Sequence, residues 1–267
     1  MDRNINRGLE RLFLDEICIG KATQRSDIIA LIEALKPTAE AAELRRFGPA
    51  GDGGYLMPDD LDGVVACISP GVSLECGFDE EIASRGIDVV MADASVEGPS
   101  SDNPRFHFLR KYLDITTTDQ TVTMQELCHD VPEACGTGDL ILQMDIEGAE
   151  YRVLAGMSDE LLQRFRIMVI EFHYLDQIFQ RFSFDNIIKP VFERLLAYHD
   201  VVHIHPNNCL SPVRRASVHV PPIMEFTFHR KDRRRTCSNR RPTFPHPLDA
   251  GNVPTRSTLI LPDCWWQ

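Results

Sequence analysis

Leu140-Ile141-Leu142-Gln143-Met144 is an almost unbroken apolar run, and it stops on Asp145-Ile146-Glu147-Gly148-Ala149-Glu150, three carboxylates set around one glycine. Such a run reads as a buried strand. In an open α/β sheet ligands sit beyond the carboxyl ends of the strands, so Asp145 stands where a site would be. The same acids also suit a helix start, with Asp145 as the cap and Glu147 and Glu150 in a first turn where the helix dipole favours negative charge. Downstream, Ile167-Met168-Val169-Ile170-Glu171-Phe172-His173 places Glu171 and His173 on one face of a strand, because side chains alternate. Val201-Val202-His203-Ile204-His205 reads as a further strand ending on a histidine. A neutral imidazole near pH 7 can accept a proton, which makes His173 and His205 the general-base candidates. For His203, expected to point to the other face of the sheet, a hydrogen-bonded structural role is favoured.

Two upstream features can hold a ligand. Gly48-Pro49-Ala50-Gly51-Asp52-Gly53-Gly54-Tyr55 is dense enough in glycine to be a cradling loop, although it lacks the Lys-Ser/Thr ending of a phosphate-binding loop. Gly63 to Ile68 reads as a strand running into Ser69-Pro70-Gly71, followed by a helix from Phe78 to Arg85 and a second strand, Ile87 to Ala92, that ends on Asp93. Strand, glycine turn, helix, strand, acid is the grammar of a Rossmann-like half, with the acid placed to bind ribose hydroxyls. Asp93 is therefore the strongest single ligand contact.

The elements that must position these residues alternate along the chain. Phe106 to Leu109 makes a short strand and Thr123 to Cys128 a short helix. A helix through Val153-Leu154 and Leu161-Leu162 follows the Leu140 strand, and Phe184 to Tyr198 carries a clean helical stripe of Ile187, Ile188, Val191, Phe192, Leu195 and Leu196. A last strand, Ile223 to Phe228, follows Pro221-Pro222 with no helix before it, which predicts a parallel sheet with one antiparallel strand. Ahead of this α/β fold, residues 1–46 read as accessory helices, with Leu9, Leu12, Phe13 and Ile17 on one face and a second helix starting at Ser26-Asp27 and ending by Pro37. They suit packing, or pairing with a second copy of the chain. Residues 47–230 then form the main domain, and 231–267 an irregular tail rich in Pro, Arg and polar residues.

The net charge of -12 argues against a nucleic-acid binder, which needs clustered Lys and Arg, and the short run Arg230-Lys231-Asp232-Arg233-Arg234-Arg235 reads as a solvated loop. No stretch approaches the length of an apolar span, and Met1 to Glu10 is polar, so a cytoplasmic protein without membrane contact is expected. The eight cysteines show no metal-knuckle spacing and are read as reduced thiols.

Taken together, Asp52-Gly53-Gly54-Tyr55, the first strand with its Gly71 turn and Phe78-Asp79, Asp93, and above all Asp145-Ile146-Glu147-Gly148-Ala149-Glu150 resemble the FkbM-like family of S-adenosylmethionine-dependent methyltransferases. Glu171-Phe172-His173, His205-Pro206-Asn207-Asn208 and Glu225-Phe226-Thr227 look like further family positions, so the resemblance runs from about Phe47 to Arg230. It implies a class I methyltransferase (Rossmann-like) sheet of order 3-2-1-4-5-7-6 with strand seven antiparallel. S-adenosylmethionine would be bound by Asp52, Gly53, Gly54, Tyr55, Ser69, Gly71, Phe78, Asp93 and Asp145, and the methyl group would pass to a hydroxyl of a small molecule or sugar. Catalytic roles would fall to Asp145, His173 and His205. In that strand order Asp145, Glu171, Glu225 and His205 line one edge, where their charge calls for a raised carboxylate pKa, a basic partner such as Arg152, or a cation suited to oxygen ligands such as Mg2+ or Mn2+. The Ser-Pro-Gly turn departs from the family's usual Gly-x-Gly, and the three-glycine dinucleotide fingerprint is absent. The alternatives are a nicotinamide-dependent oxidoreductase and a non-catalytic Rossmann-like binding module.

Overall fold

A computed structural model describes residues 20–38, 43–72, 75–129, 136, 138–234 and 243–266. The helix expected around Leu9, Leu12, Phe13 and Ile17 lies outside them. Seven strands make the main sheet: β3 (Val64–Pro70), β4 (Asp88–Ala92), β5 (Phe106–Leu109), β8 (Asp139–Met144), β9 (Phe165–Phe172), β10 (His199–Pro206) and β13 (Met224–Arg230), in the order β10-β13-β9-β8-β3-β4-β5. Only β13 runs antiparallel to its neighbours, so its first residues lie beside the last residues of β9 and β10: Glu225 is opposite Glu171 on one side and His205 on the other. The alternation of strands and helices predicts a parallel sheet with one antiparallel strand, and the order is the one the resemblance implies.

The central strands are mostly apolar because both faces are covered, and every residue of β9 is buried. On one face Ile68, Leu142, Ile170 and Phe226 pack with α1 (Arg25–Ala34), α4 (Glu150–Gly156) and α6 (Lys189–Tyr198) through Ile32, Leu154 and Phe192. The other face, Cys67, Val89, Ile141 and Val169, is covered by α2 (Gly77–Ser84) through Phe78 and Ile82, and by Phe47 and Tyr55. Those two aromatics belong to β1 (Leu44–Phe47) and β2 (Tyr55–Pro58), an antiparallel hairpin whose turn is the glycine-dense loop. Four-residue strands carry too little periodicity to show in a sequence, which is why only the loop was read there. Among the described residues no helix is long and apolar enough to cross a membrane.

One expectation needs correction. The basic run after β13 is not a solvated loop. Arg230 pairs with Asp139 and Asp232, Arg233 pairs with Asp60, Arg234 pairs with Asp200, and Lys231 donates to the Leu196 carbonyl. With Arg166 bound to Asp139 and to the carbonyls of Asp60 and Asp62, these residues neutralise the acids at the amino-terminal edge of the sheet. The Arg233 hydrogen bond, helped by His229 and the charge of Arg166, holds the Asp60 carboxyl far below the usual range against the opposing effect of burial. Arg235 lies outside the described residues.

The tail is irregular in backbone and packs on the core. Trp265 is fully buried with its Nε1 donating to the His219 carbonyl at 3.0 Å, and it packs in the same core as Ile28, Leu31 and Ile32 of α1. Asn208 ties the tail to the sheet, donating to the Val253 carbonyl at 3.0 Å and accepting from the Val253 amide at 2.7 Å. Replacing a buried Trp by Ala costs about 3–5 kcal/mol. Urea unfolding of Trp265→Ala is therefore expected to show a loss of that size, and a loss below about 1 kcal/mol would mean that the tail is not part of the core.

Candidate functional site

The chain after β8 does not cap α4 with Asp145. Asp145-Ile146-Glu147-Gly148 forms a loop instead, with Glu147 in the left-handed region at φ 55° and Gly148 at φ 104°. Helix α4 begins only at Glu150, and its N-cap Ala149 makes no side-chain cap. The first residue of α4 instead closes the loop. Glu150, with no exposed surface, accepts from the Ile146 amide at 3.2 Å and the Gly148 amide at 3.0 Å, and the same oxygen lies 3.1 Å from His173 Nδ1. Assigned from that partner, Nδ1 carries the proton and Nε2 faces the site. Two glycines are required by close approach. A Cβ on Gly148 would lie 2.6 Å from the Tyr174 ring, and one on Gly71, itself at φ 84°, would lie 1.6 Å from the Asp145 carbonyl oxygen.

His173 Nε2 looks onto three carboxylates: Glu147 at 3.3 Å, Glu171 at 3.6 Å and Asp145 at 3.9 Å. Next along the sheet edge, Glu171 accepts from the Asn207 amide at 3.2 and 3.4 Å. Glu225 accepts from Asn252 Nδ2 at 2.8 Å, and that amide also reaches Asp52 at 3.2 Å. These are neutral donors for charged acceptors, and the proton affinities respond. Burial, then the charges of Asp145 and Glu225, raises the Glu171 pKa, and burial raises those of Asp145 and Glu225 against the opposing charges of His173 and His205. Burial alone would lower the His173 pKa, but the Glu150 hydrogen bond and the charges of Glu150, Asp145 and Glu147 carry it above its ordinary value.

Asp145, Glu171, Glu225 and His205, expected as one set, are thus divided. The donor atoms of Asp145, Glu171 and His173 lie within 4.8 Å of one another. His205 instead joins His203 and the tail residue Asp249, and Glu225 stands between the two groups. His203 lies on the same face as His205, as residues two apart on a strand must. Arg152 is not the basic partner of the row, because it is held by both oxygens of Asp114. The nearby cation is Arg46, bound to the carbonyls of Pro49 and Gly51, whose charge acts on Glu225.

A cleft opens on the β8 side of the row, between the glycine loop and the Gly71 turn. Asp52, Gly53, Tyr55, Gly71, Phe78 and Asp145 line it. Gly54 lies behind, against Pro49, and Ser69 lies beneath, donating to Gln143 at 2.8 Å. Asp93 sits at the end of β4, next to the turn through the Gly71 amide bond to the Ala92 carbonyl, and its carboxylate accepts from the Ser95 amide at 2.7 Å. Asp79, Gln143 and Glu75 also line the cleft, outside the expected cofactor contacts. Gln143 left a signal as the one polar residue of the run Leu140 to Met144. Asp79 entered only through the resemblance, since an acid in a helix's first turn is ordinary; burial pushes its carboxyl up to about 7.

Residues 73–198 match the model of the methyltransferase FkbM domain. Over that stretch the chain is similar to the FkbM methyltransferases. A search among curated proteins found no match. The matched FkbM segment takes in the Glu150 clamp, Glu171 and His173, while Asp52, His205, Glu225 and the tail lie outside it.

The acids set the pH response of the FkbM fold. Glu171, Asp145, Glu225, His173 and His205 all have folded pKa values above their ordinary ones. The native state therefore holds protons that the unfolded chain has released, and stability falls as pH rises through that window. The melting temperature is expected to drop between about pH 7 and about pH 9, and Glu171→Gln, which mimics the protonated acid, should shallow the slope. Identical slopes in the two proteins would show that Glu171 does not titrate there.

Proposed function

We propose that this protein transfers a methyl group from S-adenosylmethionine to a hydroxyl oxygen of a small molecule or sugar. The observation that carries the reading is His173 Nε2, fixed by Glu150 and presented beside Asp145 at the cleft. The residues present fit the cofactor. Asp79 Oδ1 and Asp145 Oδ1 are buried acceptors with no hydrogen-bond donor, and an acidic cleft suits a ligand bearing ammonium and sulfonium charge. Asp52, Gly53, Gly54, Tyr55, Ser69, Gly71, Phe78 and Asp145 would form its walls, with Asp93 for the ribose hydroxyls. When bound, the cofactor supplies an electrophilic methyl group.

The chain's own contribution is mainly positioning, since aligning reactants can supply about 7–11 kcal/mol of a barrier. The row of Asp145 and Glu171 orients an acceptor hydroxyl by accepting or donating hydrogen bonds, according to protonation. His173 Nε2 takes the hydroxyl proton, and Glu150 holds Nδ1 and stabilises the imidazolium that forms. A general base of this kind adds about 100- to 10,000-fold. His205 is a poorer base, because the carboxylate facing its Nδ1, Asp249 Oδ1, is 3.7 Å away and engaged by His203 at 2.9 Å, whereas Glu150 holds His173 at 3.1 Å. The absent three-glycine fingerprint and the FkbM domain disfavour a nicotinamide-dependent oxidoreductase. A second reading adds Mg2+ or Mn2+ held by Asp145, Glu171 and His173, favoured by their converging donor atoms.

Calorimetric titration with S-adenosylhomocysteine is expected to show binding that Asp93→Ala weakens at least tenfold. Absence of binding to the wild type sinks the reading, and an unchanged affinity when Mn2+ is added removes the metal. With an acceptor in hand, His173→Gln should lower kcat about 100-fold or more while the S-adenosylhomocysteine affinity stays within a factor of a few. The wild-type rate should climb with pH as His173 loses its proton. A variant with full kcat, or a flat pH profile in the wild type, would assign the base elsewhere.

A further inference from the structure

His203, His205 and Asp249 form a group that the proposed methyl transfer does not use. The histidines lie two apart on β10 and so point to one face, and they converge on one carboxylate oxygen by using different nitrogens. His203 Nε2 is 2.9 Å and His205 Nδ1 is 3.7 Å from Asp249 Oδ1. All three side chains are more than nine-tenths buried, at 4%, 7% and 6% exposure. The three donor atoms lie within 4.8 Å of one another. The arrangement is held from outside. Asp249 Oδ2 accepts the His246 amide at 2.7 Å, which leaves Oδ1 turned to the imidazoles, and Phe244 stacks on the His203 ring at 5.6 Å.

We infer that His203, His205 and Asp249 bind a divalent transition metal of the zinc type, which fastens the tail to the end of β10. The donor set is the first argument: two imidazoles and one carboxylate suit zinc or iron(II), whereas magnesium and calcium prefer oxygen ligands throughout. Spacing is the second. Metal–ligand bonds of about 2.0–2.1 Å in tetrahedral geometry place neighbouring donors about 3.3 Å apart, and the two observed separations lie on either side of that value. Charge is the third. The Asp249 carboxylate supplies negative charge directly to the ion, and the acidic Glu225 lies opposite His205 on the neighbouring strand. The group lies outside the segment matching the FkbM domain, so the site belongs to this chain's β10 and its tail. It is also distinct from the oxygen-rich Asp145, Glu171 and His173 group, which favours harder ions.

The test uses full-length protein without a polyhistidine tag, treated with chelator, dialysed, and titrated with ZnCl2 and separately with MgCl2. One equivalent of zinc is expected by calorimetry and elemental analysis, with a rise of several degrees in melting temperature, and Mg2+ should produce neither at this site. His203→Gln should lose the bound zinc and its stabilisation, and Asp145→Asn should keep both. Should His203→Gln fail to fold, Asp249→Asn, which keeps the side-chain shape and a carbonyl acceptor, serves in its place and should weaken zinc binding at least tenfold. No zinc bound by the wild type would overturn the inference and leave a hydrogen-bonded His-Asp-His latch. Zinc lost in Asp145→Asn but retained in His203→Gln would overturn it equally, placing the ion in the acid row.

Discussion

Like charges crowd the carboxyl-terminal edge of the sheet, and most of what is unusual in this protein answers that crowding. Asp145, Glu171 and Glu225 end up at neighbouring positions with little access to water, where two such charges about 4 Å apart repel by roughly 4 kcal/mol at an effective dielectric near 20. Among the described residues no arginine pairs with Glu171. Instead the row is met by the amides of Asn207 and Asn252, by the imidazoles of His173 and His205, and by protons retained on the acids themselves.

The opposite edge shows the contrast. There Asp60, Asp139 and Asp200 are matched by Arg166, Arg230, Arg233 and Arg234, mostly in hydrogen-bonded pairs. A guanidinium is permanently charged and forms two parallel bonds to a carboxylate, so such an edge exchanges nothing with its surroundings. Amides and imidazoles leave the carboxylates of the other edge able to trade protons, hydroxyls or cations. One sheet thus treats its two ends in opposite ways, and the end left under tension is the end where an α/β sheet binds ligands.

Glu150 links that tension to the fold. Its carboxylate closes the loop that presents Asp145 and sets the imidazole of His173. One buried side chain therefore makes loop geometry and histidine orientation a single property, and the left-handed backbone at Glu147 is tolerated because the loop is held from both sides. The tail adds a further tie, through Asn252 to Glu225 and Asp52 and through Asp249 to the histidines of β10, so that a segment far along the chain completes the wall of the site.

The sheet, its order and the acid ending of β8 were legible in the sequence because they rest on local signals: apolar runs, period-two alternation, glycine at tight turns and a resemblance centred on Asp145 to Glu150. Those signals also brought Asp52, Gly53, Tyr55, Gly71 and Phe78 to one cleft. What depended on contacts between distant segments was not legible. Arg152 looked like the partner of the acids and is bound to Asp114; the arginines after β13 looked solvated and neutralise the far edge; Asp249 and Asn252 sat in a tail without periodicity and reach the site. Pattern and propensity act over a few residues, so the sequence determined which strands form and which of their ends carries acid. The pairing of each charge depends on which segments the folded chain brings within about 4 Å, a distance that only the tertiary structure decides.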